Sequence, residues 1–224
     1  ETGTGKELFA KAIHSASHRR YYVFEPINCS AIPDNLLESE LFGYEAGAFT
    51  GAEKRGKIGK LQFAHNGTIF LDEIGDMPIN LQAKLLRFLE DRYIFKLGGV
   101  TPIRVNTRIT AATSKDLHML MKEGKFRKDL FYRLNVILIR IPPLRERIED
   151  LDLLAEAFLE KFSERYNKSI RGIDPSLLNR FRQYSWPGNV REFENIIEYG
   201  VLLETSSVLN ENSVIMQFEE NEEK

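Results

Sequence analysis

The chain has 224 residues, 42% hydrophobic and 29% charged, with a net charge of −2, the composition of one or two ordinary globular domains whose core needs no covalent staples. A lone cysteine, Cys29, excludes an internal disulfide and suits a reducing, cytoplasmic setting, and no apolar run reaches the roughly 18–20 residues that cross a bilayer. Residues 1–143 carry 21 basic and 16 acidic groups, and residues 144–224 carry 10 and 17, so bulk electrostatics make the second part a poor nucleic-acid binder.

Glu1-Thr2-Gly3-Thr4-Gly5-Lys6-Glu7 matches the end of the phosphate-binding pattern G-x-x-x-x-G-K-S/T, whose leading glycine would precede Glu1. Gly3 and Gly5 let backbone N–H groups turn onto phosphate oxygens, and Lys6 can reach the β- and γ-phosphates. Glu7 stands where a Mg²⁺-binding Ser or Thr is usual, and a plain Gly-Lys turn is the competing reading. Leu8, Phe9, Ala12, Ile13 and Ala16 fall at helical spacing, so a helix with that face inward is expected to follow.

Val23–Asn28 reads as a short strand, and Ile32-Pro33-Asp34 opens a helix ending near Gly43. The glycine-flanked Gly47-Ala48-Phe49-Thr50-Gly51-Ala52 comes next, a contact loop with an aromatic tip or an ordinary surface loop. Thr68–Leu71 is a continuous apolar run, as in a buried parallel strand, and ends in Asp72-Glu73. Adjacent acids at such a strand end are costly unless a cation or a reaction uses them; solvated loop acids are the alternative. In a phosphate-loop ATPase the first acid holds Mg²⁺ and the second polarises the attacking water.

Pro78 opens a helix with Leu81, Leu85, Leu86 and Leu89 inward. Short β segments are expected around Tyr93–Leu97 and Ile103–Val105, then a strand over Arg108–Thr113 ending at Ser114. Helices over 115–123 and 127–134 precede a last strand, Val136–Ile141, stopped by Pro142-Pro143. Alternating strands and helices predict a doubly wound α/β sheet with a nucleotide at its carboxyl edge. Beyond Pro143 the periodicity is helical only: one helix around Leu151–Phe162, one over Pro175–Tyr184 and one from Asn189 to Val201, with Trp186 as a core anchor. The expected division is 1–143 for the nucleotide-binding part, 144–210 for a helical part and 211–224 for an acidic tail. His14, His65 and His118 lack metal-ligand spacing, and Cys29 lacks a nucleophile's partners.

Together these motifs resemble the central AAA+ ATPase domain of sigma-54-dependent bacterial transcriptional activators, the enhancer-binding proteins of the NtrC type. The resemblance rests on an ordered series: ETGTGKE (1–7), ESELFG (38–43), GAFTGA (47–52), GTIFLDEIGD (67–76), QAKLL (82–86), FRKDLFYRLNV (126–136), PPLRER (142–147) and WPGNVREFEN (186–195). It implies an AAA+ P-loop fold, a doubly wound parallel sheet followed by a small all-helical lid, with a strand before Glu1. It implies nucleotide binding by Glu1, Thr2, Gly3, Thr4, Gly5, Lys6 and Glu7, a glutamate being usual at the last position in this family. Asp72 would hold Mg²⁺ beside ATP, and Glu73 would activate water. Asn28 would hold that glutamate before hydrolysis, and Arg127 and Arg133 would reach the neighbouring subunit's site. Arg191 would be the lid arginine. At the strand end the family has Thr-Asn where this chain has Thr113-Ser114, so Thr113 is the expected contact and the amide's contact is in doubt.

The resemblance further implies a homo-oligomeric ring, hexameric or heptameric, that hydrolyses ATP. The Gly47–Ala52 loop would engage sigma-54 of RNA polymerase to drive open-complex formation. DNA binding would belong to a domain outside this sequence, and the controlling signal to a sensing or receiver domain of the kind two-component systems use. A second reading is a non-hydrolysing nucleotide-binding scaffold that binds DNA through its last helices, with Asn179, Arg180, Arg182 and Arg191 as contacts.

Overall fold

The computed structural model describes residues 1–48 and 55–214. The chain divides into two compact units, Lys6–Ile139 and a second one that joins Glu1–Gly5 to Arg140–Lys224. The first unit runs α1 (Lys6–Ser15), β1 (Phe24–Asn28), α2 (Asp34–Phe42), β2 (Gly43–Tyr44), β3 (Lys57–Ile58), α3 (Lys60–Phe63) and β4 (Thr68–Asp72). It continues with α4 (Ile79–Asp91), β5 (Tyr93–Ile94), β6 (Ile103–Arg104), β7 (Arg108–Ala111), α5 (Leu117–Lys122) and α6 (Lys128–Leu134).

β1, β4 and β7 form a parallel sheet with β4 in the middle. The register sets Phe24 beside Thr68 and Asn28 beside Asp72, so the carboxyl ends of β1 and β4 are level. Side chains of a strand alternate between faces, and both faces are covered here. Ile27, Ile69 and Leu71 join the core built with Leu37, Leu41, Leu81, Leu85 and Phe88 of α2 and α4. On the other face Phe24 stacks on Phe70, with ring centroids 6.2 Å apart. Burial on both sides is why β4 reads as an unbroken apolar run. Pro26 is tolerated because β1 is an edge strand among the described residues. Gln82 is fully buried on α4, and its amide donates to Met77 O (2.8 Å) and Lys125 O (3.0 Å) while accepting from Arg127 N–H (2.8 Å). One buried amide thus fixes the entry to α6.

Two expectations fail here. The α1 face carrying Leu8, Phe9, Ala12 and Ala16 is exposed, Leu8 by 72%, while Ala10 and His14 are buried. His14 takes the inward position because its Nδ1 is 2.9 Å from Thr68 Oγ1 and its ring lies against Phe24. A satisfied polar side chain won the core face, which a hydrophobic pattern cannot register. Val136–Ile141 is not a strand: Val136 and Ile137 are 81% and 82% exposed, and among the described residues no strand lies beside them to form a ladder.

The second unit contains α7 (Asp150–Arg165), β8 (Gly172–Ile173), α8 (Pro175–Gln183), α9 (Asn189–Leu203) and β9 (Val208–Leu209). Its core is aromatic and centres on Trp186, which is fully buried and lies 4.7 Å from Phe193 and 5.7 Å from Phe181 between ring centroids. Its indole N–H donates to Phe181 O at 2.7 Å, so the one polar atom of the anchor is satisfied. Residues 211–214, expected as the start of the tail, are part of the second unit. Glu211–Ser213 is a 3-10 turn whose Ser213 hydroxyl donates to Glu204 Oε2 at 2.8 Å.

Glu204 gathers the chain end around one carboxylate, which also accepts from the N–H groups of Thr205, Ser206 and Asn210. Burial raises its pKa, but these donors outweigh burial and bring it down to about 2 from an ordinary 4.5. A lowered carboxylate pKa stabilises the fold above the unfolded value and ceases to do so as pH falls through the folded value. Glu204→Gln is therefore expected to lower the unfolding midpoint at pH 7, with the difference from wild type shrinking between about pH 4.5 and 2. Urea titrations at pH 7 and pH 3 check this; an equal loss at both pH values would remove the carboxylate charge from the explanation.

Candidate functional site

The chemistry-bearing residues of the first unit converge at the carboxyl end of β4. Glu73 follows the strand with φ 49° and ψ 50°, the left-handed region, which costs a non-glycine residue about 1–3 kcal/mol. The turn is closed by Ile74 N–H donating to Ala112 O (2.9 Å) and Asp76 N–H to Glu73 O (2.9 Å). In that conformation the Glu73 carboxylate meets Ser114, whose N–H donates to Oε2 at 2.9 Å and whose hydroxyl lies 3.1 Å from Oε1 and 3.0 Å from Oε2. Thr113 Oγ1 is more distant, at 3.4 Å from Oε2. Lys6, the first residue of α1, brings its Nζ to 3.5 Å from Glu73 Oε1, and both side chains are largely buried.

The adjacent acids are pushed apart electrostatically. Burial raises the pKa of Asp72, and the neighbouring Glu73 charge raises it further. Burial also acts upward on Glu73, but the Ser114 hydrogen bonds and the Lys6 ammonium overcome it and hold its pKa below the ordinary value. Asp72 Oδ1 is buried with no hydrogen-bond partner among the described residues. A buried, unpartnered carboxylate oxygen next to a second carboxylate is what a hard cation satisfies. Among the described residues no cluster of three or more His, Cys, Asp or Glu exists to hold a metal unaided. Cys29 is buried close by, its pKa pushed up to about 12 by burial and the Asp72 charge, so its thiol is inert.

Asn28 shares the same sheet edge but does not bond Glu73. Its Oδ1 accepts from Ser30 N–H (2.9 Å), Ser30 hydroxyl (2.7 Å) and Ala31 N–H (3.3 Å). The Asx turn after β1 occupies the amide oxygen, and it is Ser114 that donates to Glu73. Arg127 caps the start of α6 and Arg133 lies in its last turn, both exposed. Arg127 is paired with Asp129, Nη2 to Oδ2 at 2.7 Å, and Arg133 donates to Leu89 O at 3.1 Å.

In the second unit the glycine-rich stretch is built into the helical domain. Asn189, fully buried at the start of α9, donates from Nδ2 to Glu1 Oε2 and Thr2 O, each at 3.0 Å, and accepts from Leu144 N–H at 2.8 Å. Arg145 grips the Glu1 carboxylate, Nη1 at 2.9 Å and Nη2 at 2.5 Å, and with Asn189 brings its pKa down to about 2. Arg147 donates to Thr4 O at 2.9 Å. Gly3 has φ +73°, and a Cβ there would sit 2.3 Å from Gly188 O. Only glycine permits that approach, and it lets Arg191 N–H donate to Gly3 O at 3.3 Å. The Arg191 guanidinium is exposed and has no partner among the described residues. These bonds explain why Glu1–Gly5 groups with the second unit, where the sequence reading placed it with the first. Glu7, on α1, is exposed.

Of the Gly47–Ala52 loop, Phe49, Thr50, Gly51 and Ala52 lie outside the described residues. Its neck is defined: Gly43 pairs with Ile58 and Tyr44 with Lys57, and a Cβ on Gly59 would sit 2.3 Å from the Phe42 carbonyl carbon. Gly47 has φ +75°, and Ala48 packs against Gly98. Of the arginines considered for DNA contact, two on α8 are paired with acids, Arg180 with Glu211 and Arg182 with Asp152, each at 2.7 Å, while Arg191 is not paired among the described residues.

Ser114, Asn189, Arg145 and Arg147 contact the candidate site residues, and sequence reasoning left them without a role. The last three lie in PPLRER and WPGNVREFEN, which had already stood out as motifs.

A parallel sheet with an acidic pair after its central strand, together with a helical second unit, is the architecture of P-loop ATPase-type proteins. Residues 1–140 match the Sigma-54 interaction domain family and residues 145–224 an AAA+ ATPase lid domain. The chain belongs to the Sigma-54 interaction domain family. The putative uric acid sigma-54-dependent transcriptional regulator UacR of Escherichia coli K12 is 56% identical over 199 residues, covering 89% of this chain and 34% of that protein. The regulatory protein AtoC of the same organism is 52% identical over 209 residues, covering 93% and 45%. The ADP complex of NtrX from Brucella abortus matches with a TM-score of 0.88 at 35% identity, covering 96% of this chain and 47% of that one. The ADP complex of Hsp104 from S. cerevisiae, at 18% identity and a TM-score of 0.62, shares the fold alone, covering 90% and 32%. The chain thus spans about a third to a half of the length of these relatives. No helix among the described residues is long and apolar enough to cross a membrane.

Ser114→Ala removes the hydroxyl from both Glu73 oxygens and leaves the backbone N–H. The Glu73 pKa is expected to rise, readable in a carbon-13 carboxyl NMR titration against wild type. An unchanged titration would mean that the backbone N–H and Lys6 alone set it.

Proposed function

We propose that this chain is the ATP-hydrolysing core of a sigma-54-dependent transcriptional activator, acting as a ring of identical subunits. The observation that carries the reading is the Glu73 carboxylate, held ionised by Ser114 and Lys6 next to the unpartnered Asp72 oxygen. Membership of the Sigma-54 interaction domain family and the likeness to NtrX bound to ADP support it.

In this proposal Gly3, Gly5 and Lys6 cradle the phosphates, with Glu1, Thr2, Thr4 and Glu7 completing the loop. Phosphate oxygens draw the Lys6 ammonium away from Glu73 and free that carboxylate to take a proton from water. The water oxygen bonds to the γ-phosphorus as the bond to the β–γ bridging oxygen breaks, releasing ADP and phosphate. Asp72 would hold Mg²⁺, which would supply charge neutralisation to the phosphates. Ser114, with Thr113 beside it, keeps Glu73 ionised and oriented, and Asn28 is the group to which Glu73 is released or returned as the nucleotide changes. Arg191, standing beside Gly3, serves as the lid arginine. Arg127 and Arg133 exchange their present partners for the neighbouring subunit's nucleotide, where arginines of this kind contribute on the order of 10³–10⁵ in rate. The Gly47–Ala52 loop, with Phe49 and Thr50 at its tip and Gly51 and Ala52 completing it, couples the nucleotide state to sigma-54 and to open-complex formation.

Glu73→Gln is expected to abolish steady-state ATP hydrolysis in a phosphate-release assay while retaining ATP binding. Phe49→Ala is expected to hydrolyse ATP normally and to form no open complexes on a sigma-54 promoter; normal transcription from that variant would sink the loop assignment. Rings mixed from Glu73→Ala and Arg133→Ala protomers should regain hydrolysis at interfaces that combine intact groups. No recovery, with subunit exchange demonstrated, would count against catalysis in trans.

A further inference from the structure

The opposite end of the parallel sheet carries a second concentration of charge. Where β4 and β7 begin, the loops 65–67 and 105–107 and the end of α4 surround a concave pocket of about 540 Å³ lined by His65, Asn66, Arg92, Arg104, Val105 and Asn106. No acid lines it, and among the described residues neither Arg92 nor Arg104 is within 4.0 Å of a carboxylate; the adjacent Asp91 lies 3.8 Å from Arg87 instead. Its volume is in the range of small-molecule sites. It lies a strand's length, roughly 16 Å, from the Asp72-Glu73 end of β4.

Part of the lining is held in place by hydrogen bonds. Asn106 is the hub: its N–H donates to His65 Nδ1 (3.3 Å), its Nδ2 donates to Asn66 Oδ1 (3.3 Å), and its Oδ1 accepts from Arg19 Nη2 (2.8 Å). With Nδ1 accepting, the neutral His65 ring carries its proton on Nε2, a further donor. Arg92 uses one guanidinium N–H on Thr107 O (3.1 Å) and keeps the rest, while the Arg104 side chain has no partner among the described residues. These arginines are not needed to satisfy the end of α4. Phe88 O accepts from Arg92 N–H (2.9 Å), Leu89 O from Arg133 (3.1 Å) and Arg92 O from Val105 N–H (2.9 Å).

We propose that this pocket is a second anion site, separate from the phosphate loop, that takes a phosphate group between Arg92, Arg104 and His65. Two guanidinium forks and an imidazole N–H match the tetrahedral oxygens of a phosphate better than a single planar carboxylate. The phosphate comes either from a free phosphorylated small molecule or from a nucleic-acid backbone. The proposal does not depend on ATP hydrolysis at the other edge.

The test uses the full chain carrying Lys6→Ala, to weaken the phosphate loop, with and without Arg104→Ser. Inorganic pyrophosphate is titrated calorimetrically at low salt, and a fluorescent duplex DNA is titrated in parallel by anisotropy. The proposal expects pyrophosphate binding in the Lys6→Ala protein that Arg104→Ser weakens about tenfold or more, with an unchanged thermal midpoint. Arg104→Ser alone should leave ATP hydrolysis as in wild type. DNA binding that falls with Arg104→Ser, its log–log salt slope dropping by about one, assigns the phosphate to nucleic acid; DNA binding unaffected by the substitution, or absent, assigns it to a small molecule. Pyrophosphate affinity that is equal with and without Arg104, or no binding at all to the Lys6→Ala protein, overturns the site.

Discussion

The first unit is arranged around one residue in an unfavourable backbone conformation. Glu73 turns off the central strand in the left-handed region, and only that turn sets its carboxylate against Ser114 and within reach of Lys6. The strain is offset by charge-assisted hydrogen bonds, which are stronger than neutral ones. The surrounding sheet is what makes the arrangement possible. β7 runs level with β4, so the chain leaving β7 delivers Ser114 to the same point, and Ala112 O closes the turn by accepting from Ile74 N–H. The neighbouring Asp72 keeps an oxygen without a partner, so one end of one strand presents an ionised carboxylate and an unsatisfied one side by side.

The second unit solves a different problem, that of fixing a glycine-rich backbone with few side chains of its own. Asn189, itself in the left-handed region, uses its amide on Glu1, Thr2 and Leu144 together. Arg145 and Arg147 hold Glu1 and Thr4. Gly3 lies against Gly188 at a distance that no side chain allows. The bend that presents Asn189 is anchored by Trp186, whose ring fills the aromatic core and whose indole N–H is satisfied. The core anchor and the residue that holds Glu1 and Thr2 are thus three residues apart.

Much of the fold was legible because burial on both faces leaves a plain mark. Thr68–Leu71 reads as a buried strand, Leu81, Leu85 and Leu89 as an inward helical face, and Pro175 as a helix start. α1 was misread because the side chain facing the sheet is His14, bonded to Thr68, while Leu8 and Phe9 look outward. Val136–Ile141 has the composition of a strand, but a strand also needs a neighbour, and composition carries no information about neighbours. At the site, the acids, Lys6 and the glycines stood out by type and spacing. Ser114 did not, since its part follows from where β7 ends, and a serine after a strand is common.

By itself the sequence determined the class of the protein and pointed to Lys6, Asp72 and Glu73 by residue type and spacing. Lysine, paired acids and glycines at set spacings are restricted by their chemistry, and long apolar runs by the need for burial. The tertiary structure alone decided which of these groups meet. It gave Glu73 to Ser114 and left Asn28 to its own turn, joined Glu1–Gly5 to the helical unit, and gathered Arg92, Arg104 and His65 from three separate stretches into one pocket. The reason is physical: spacing along a chain limits local geometry, whereas contacts between distant residues depend on strand register and on hydrogen bonds that no local pattern encodes.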